Sequence, residues 1–97
     1  MPAVYLIASI TVNDPEHMKG YTDHTPPMIA SYGGEYMARG TPIHHLEGTP
    51  PGERVVVVKF PSLEKATEWY ESAEYAKLLP IRLEASDGDM YIVEGLE

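Results

Sequence analysis

The 97-residue sequence predicts an α+β fold: a ferredoxin-like βαββαβ chain with one four-stranded antiparallel sheet and helices on one face. Three stretches point to it. Tyr32-Gly33-Gly34, followed by Glu35-Tyr36-Met37-Ala38-Arg39-Gly40, closes a helix and opens a strand. Phe60-Pro61-Ser62, with Trp69-Tyr70-Glu71-Ser72 beyond it, closes a strand and opens a helix. Between them, four consecutive valines, Val55 to Val58, suit a central strand and suit an exposed helix poorly. Right-handed crossovers then place the first and third strands at the centre of the sheet.

The first strand runs from Val4 to Val12. Val4, Leu6, Ala8, Ile10 and Val12 alternate with Tyr5, Ile7, Ser9 and Thr11, so both faces are expected to meet protein. Asp14 caps the helix that follows, Pro15 suits its first position and Glu16 its positive end. Met18, Tyr21, Thr22 and Thr25 form its buried stripe. Pro26-Pro27 forces a kink or restart, with Thr25 as a second cap, and Gly33-Gly34 ends the helix. In the second strand, Glu35 to Arg39, alternation sends Tyr36 and Ala38 one way and Glu35, Met37 and Arg39 the other. Gly40-Thr41-Pro42 breaks it; Ile43 to Glu47 reads as an edge continuation or a loop, and Gly48-Thr49-Pro50-Pro51-Gly52 as a stiff turn.

Arg54 to Phe60 is the third strand. Ser62 caps the second long helix, whose core stripe is Ala66, Trp69, Tyr70 and Ala73, with Glu64, Glu68 and Glu71 facing water. Ser72 interrupts it; Ala73 to Leu79 reads as a further helical piece ending before Pro80, with Ile81 to Ala85 as another turn. Ser86-Asp87-Gly88-Asp89 reads as a turn and Met90 to Glu94 as the last strand. The face without helices carries Tyr5, Ile7, Met37, Val55 and Val57, together with Tyr91 and Val93. Left in water this would be a large apolar patch. A second copy packed face to face would cover it, which predicts a homodimer.

Length and composition fit one domain over residues 1–97 with a small core. A net charge of −8 argues against nucleic-acid and membrane-surface partners, both of which need basic surface. No apolar run approaches a membrane span. The N-terminus, Met1-Pro2-Ala3, shows no signal-peptide pattern, and the absence of cysteine excludes disulfides and thiol chemistry. Both suit a cytoplasmic setting.

The segments Tyr32 to Gly40, Phe60-Pro61-Ser62, Trp69 to Tyr75 and Leu79-Pro80-Ile81-Arg82 closely resemble a bacterial family, domain-of-unknown-function family 1330 of the dimeric alpha-beta-barrel superfamily. The resemblance covers Val4 to Gly95. Ala73 replaces an expected proline, and Glu35 a residue that is often basic. The resemblance implies a ferredoxin-like subunit and a dimer whose sheets form a barrel, but no established reaction. The wider superfamily includes cofactor-free monooxygenases, lactone isomerases, haem enzymes and binding or stress proteins.

Arg39 is the leading site candidate. It is expected on the barrel side with Glu35 and Met37, where a guanidinium clamps a carboxylate or enolate in two-point fashion, or pairs with Glu35 or with the partner subunit. Lys59, on the side of Val55 and Val57, adds charge to the same cleft or is solvated. Arg82 reaches a site or complements its helix end; Arg54 reads as surface. Trp69 and Tyr70 read first as core, and Trp69 is also a candidate to bind the ligand. Tyr75, Tyr5, Tyr21 and Tyr36 are candidates to orient a small aromatic or enolic ligand. His24 is the general-base candidate by pKa class. No metal site is expected: His44 and His45 are adjacent on an extended segment, and His17 and His24 lie two helical turns apart. No cofactor is expected.

The leading functional expectation is a pocket between sheet and helices for a small organic ligand, with cofactor-independent chemistry on a carbonyl, enol or aromatic compound. The alternatives are a non-catalytic stress-response or ligand-binding dimer, and an oligomerisation module.

Overall fold

A computed structural model describes residues 3–40 and 42–96. Met1 and Pro2 of the N-terminal reading and Thr41 of the Gly40–Pro42 break lie outside them. The elements are β1 (Val4–Val12), α1 (Pro15–Thr22), α2 (Thr25–Ser31), β2 (Glu35–Arg39), β3 (Arg54–Phe60), α3 (Leu63–Tyr70), α4 (Ala73–Ala85) and β4 (Ser86–Glu94). The strands form one antiparallel sheet in the order β2-β3-β1-β4, which puts β1 and β3 at the centre. This is the ferredoxin-like βαββαβ architecture, with the helices on one face.

Alternation in β1 sends Val4, Leu6, Ala8 and Ile10 into the core, where Val58, Phe60, Met18, Ile29, Ala66 and Trp69 join them. The Asp14 carboxylate accepts from the His17 amide at 3.1 Å and Ser62 Oγ from the Lys65 amide at 3.2 Å, so both expected caps form. Gly33 closes α2 at φ 82°, a conformation costly for other residues. Beside it, a side chain on Gly34 would meet Ile29 and Phe60, so the turn requires both glycines.

Thr25 is not a cap. His24 occupies the N-cap position of α2 without a side-chain bond, and Thr25 Oγ1 donates to the Tyr21 carbonyl at 2.6 Å. Hydroxyl donation to a preceding carbonyl is the competing option for a threonine at the end of a helix. Ile43 to Glu47 is loop rather than strand. Tyr70 and Ala73 are exposed, so the buried stripe passes from Ala66 and Trp69 to Tyr75. Ser72 makes the switch: its Oγ donates to the Trp69 carbonyl at 2.8 Å and accepts from the Tyr75 amide at 3.1 Å, ending one helix and capping the next.

The last third of the chain departs most from the sequence reading. α4 does not end before Pro80; it continues to Ala85. A proline inside a helix costs about 3 kcal/mol. Pro80 lies on the exposed side, while Tyr75, Leu78, Arg82 and Ala85 are buried on both sides of it and α4 packs along α1. Burial on either side of the break outweighs the lost bond. The Ala85 carbonyl accepts the Asn13 and Asp14 amides, and Ser86 Oγ donates to the Arg82 carbonyl at 2.6 Å. With the helix end satisfied, Ser86 to Asp89 pairs with β1 instead of turning: Ser86 lies opposite Val12 and Asp89 opposite Ser9.

On the open face, Ala38, Val57, Ile7 and Tyr91 form one cross-strand row, and Glu35, Lys59, Tyr5 and Val93 another. Met37, Tyr91 and Val93 are exposed there.

Candidate functional site

β2 carries the local feature that shapes the site. Tyr36 lies opposite Val58, yet Ala38 lies opposite Val57 and Arg39 opposite Val56, so Met37 is an extra residue, a β-bulge. A bulge inverts the alternation beyond it. Arg39 therefore does not face the barrel side with Glu35, as simple period two requires. It turns to the helix side with Tyr36, and its guanidinium carbon sits 5.1 Å from the Tyr36 ring centroid while Nη2 donates to the Thr22 carbonyl at 3.4 Å. The Glu35–Arg39 ion pair is ruled out by the same inversion; Glu35 faces Lys59 across the strands.

Between helices and sheet lies a cleft of about 400 Å³. Its apolar wall is Leu6, Ala8, Ile10, Met18, Ile29, Val56, Val58 and Met90. Its polar groups are Arg39, Arg54, Arg82, Tyr21, Tyr36, Thr22, Thr25 and the Trp69 indole. These three arginines are every arginine in the chain, and no aspartate or glutamate among the described residues lines the cleft, although the sequence holds 15 of them. Among the described residues, neither the Lys65–Glu68 ion pair at 3.8 Å nor the contact of the His17 imidazole with Glu84 at 3.6 Å involves an arginine.

Arg82 is the most consequential of the three. It is only 7% exposed, and its Nε has no hydrogen-bond partner; Trp69 Nε1, fully buried, has none either. Buried donors are rarely left unsatisfied, and a buried charge without a counter-charge is costly. Both orphaned donors border the same cleft.

An aromatic cluster holds the other polar groups in place. Trp69 packs against Phe60 and, at 4.3 Å between centroids, against Tyr75, which meets Tyr21 edge-on at 5.9 Å. The Tyr21 and Tyr75 hydroxyls are 2.7 Å apart. Burial, reinforced by Tyr75 and in smaller measure by Tyr36, raises the Tyr21 pKa far above the ordinary 10.0, against the pull of the Arg82 charge. Burial also raises Tyr36, against the pull of Arg39. A raised phenol favours the proton-bound folded state. Its contribution to stability is complete below about pH 10 and is lost as pH climbs past that, because the unfolded phenols ionise first. Denaturant midpoints are expected to fall between about pH 9 and about pH 11, and to fall less in Tyr21→Phe; equal falls would assign the alkaline loss elsewhere.

Arg39, Tyr36, Trp69 and Arg82 come together in the cleft. Tyr75 stands behind its wall. Tyr5 and Lys59 lie on the opposite, open face, because the alternation of β1 and β3 puts them there. His24 is exposed at the start of α2 and outside the cleft. Among the described residues no cluster of His, Asp and Glu could hold a metal ion. Arg54 is exposed, as the sequence reading has it, and also lines the cleft. Its signal was present: Arg54, Val56, Val58 and Phe60 share one face of β3.

Solved structures similar to this chain share its fold. A protein of unknown function from Rhodopseudomonas palustris matches with a TM-score of 0.79 at 15% identity, over 99% of this chain and 84% of that one. SnoaB, a cofactor-independent oxygenase from Streptomyces nogalater, matches with a TM-score of 0.71 at 10% identity, over 100% of this chain and 96% of that one. A conserved protein from Methanosarcina mazei matches with a TM-score of 0.54 at 14% identity, over 98% and 92%. No curated protein matches. The family described as Domain of unknown function (DUF1330) matches residues 3–96, and the chain belongs to it.

Proposed function

We propose that this protein binds a small organic anion, a carboxylate or enolate carried on an apolar or aromatic body, in the cleft between sheet and helices. The observation that carries this reading is the buried guanidinium of Arg82, without a carboxylate partner among the described residues, in a cleft that gathers all three arginines. In a chain of net charge −8, an unpaired buried cation is best accounted for by a counter-charge that arrives with the ligand. Arg82 anchors the acid, Arg39 and Arg54 attract it, and Tyr36, Tyr21 and Trp69 flank its body.

A second reading, cofactor-independent catalysis, is favoured by the fold shared with SnoaB. The arginines would then stabilise negative charge developing on oxygen. No His, Asp, Glu or Lys among the described residues lines the cleft, and Tyr21 is too weak an acid to supply a base. That lining favours binding, or a substrate that enters already ionised. His24 serves neither reading from its place outside the cleft.

The working unit in this proposal is a homodimer built on the open sheet face, whose exposed Met37, Tyr91 and Val93 flank Ile7 and Val57. A cytoplasmic setting accords with the cysteine-free sequence. No helix among the described residues is long and apolar enough to cross a membrane.

Calorimetric titration with benzoate and with benzamidine, matched in shape and opposite in charge, tests the ligand class. Benzoate is expected to bind and benzamidine not. Equal binding, or preference for the cation, would refute the anion reading.

A further inference from the structure

The proton of the Tyr75 hydroxyl has one place to go. Tyr75 is fully buried and does not line the cleft, and its hydroxyl contacts one polar side-chain group among the described residues, the Tyr21 hydroxyl at 2.7 Å. Two hydroxyls share one proton in the bond between them, so one of them keeps a hydrogen free for another acceptor. Were Tyr21 the donor, the Tyr75 hydrogen would be buried with nothing to receive it, which costs about as much as any unmade buried hydrogen bond. With Tyr75 as donor, no such loss arises, and the free hydrogen belongs to Tyr21, which does line the cleft.

We propose that Tyr75 fixes Tyr21 as a hydrogen-bond donor into the cleft, and that Tyr21 selects ligands presenting an acceptor oxygen beside Arg82. This inference rests on the anion reading above and specifies the ligand class further. Tyr21, the Arg82 Nε and the Trp69 Nε1 are then all donors, two of them without a protein partner. A site of this kind accepts carboxylates, enolates and carbonyl oxygens, penalises ammonium groups, whose hydrogens would face hydrogens, and offers no acceptor to the hydrogen of an alcohol. Tyr75 touches no ligand; it is a positioning residue, held between Trp69 and Tyr21 by ring contacts.

Benzoate titration of the wild type, Tyr21→Phe, Tyr75→Phe and the double variant tests the coupling, with circular dichroism confirming that each is folded. Tyr21→Phe is expected to weaken benzoate about tenfold or more, Tyr75→Phe by a smaller factor, and the double variant no more than Tyr21→Phe alone. A double variant that loses the product of the two single factors would overturn the proposal, because the tyrosines would then act independently. So would a Tyr21→Phe protein that binds benzoate as the wild type does. Benzamide, which keeps the acceptor oxygen without the charge, separates this inference from the anion reading. A wild type that prefers benzamide, with that binding lost in Tyr21→Phe, would refute the anion reading and support the tyrosine pair; binding of neither probe would refute both.

Discussion

Arg82→Met is expected to raise the thermal midpoint of the ligand-free protein and to weaken anion binding by at least roughly thirtyfold. The two effects have one cause. Arg82 is almost wholly buried, its Nε lacks a partner, and no carboxylate among the described residues lines the cleft around it. Folding strips water from the guanidinium and returns no counter-charge. Replacing an imperfectly compensated buried charge with an apolar side chain of similar length is often neutral or stabilising by about 1–4 kcal/mol. For a domain of this size each kcal/mol moves the midpoint by about 4–8 °C. With the anion bound the balance reverses, since truncating one member of a desolvated charge pair costs about 2–5 kcal/mol. Calorimetry with and without benzoate reads both quantities. A lower midpoint with unchanged affinity would make Arg82 a structural residue and remove the basis of the ligand proposal.

Val57→Lys is expected to convert a dimer into monomers or insoluble protein. Val57 lies mid-row on the open face, with Ala38 on one side and Ile7, then Tyr91, on the other. At the centre of a face-to-face interface an ammonium would lose its hydration and gain no partner, a cost of several kcal/mol that the surrounding apolar contacts cannot offset. On a lone subunit the same lysine would simply reach water and do little. Sedimentation at micromolar concentration distinguishes the cases. A wild type that sediments at 10.8 kDa, or a variant that remains a soluble dimer, would show that this face is not the interface.

The arginine and valine substitutions probe opposite faces of one sheet, and the sequence reveals those faces unequally. Period two in β1 and β3 separates Leu6 and Val58 from Ile7 and Val57, and the structure keeps that separation throughout. The caps at Asp14 and Ser62 and the Gly33 turn were legible for the same reason: each depends on residues within a few positions of it. Features that depend on distant partners were not. Pro80 announces a helix end, and α4 passes through it because Leu78 and Arg82 on either side are buried. Asp87-Gly88 reads as a turn, and becomes strand because Asn13 Nδ2 bonds Asp87 at 2.7 Å and β1 offers an edge to pair with.

The sequence by itself determined the order of elements, the sheet with one apolar face uncovered, the family and the acidic surface. These follow from local propensity and from periodicities of two and 3.6, which neighbouring residues suffice to express. Only the tertiary structure decided where the charge inside the molecule sits. One extra residue at Met37 swings Arg39 from one face of the sheet to the other, and helix docking brings Arg82 and the Tyr21–Tyr75 pair over Arg54 and Tyr36. A bulge arises from how two strands pair, and a buried cation from how helices close on a sheet; neither leaves a period in the chain.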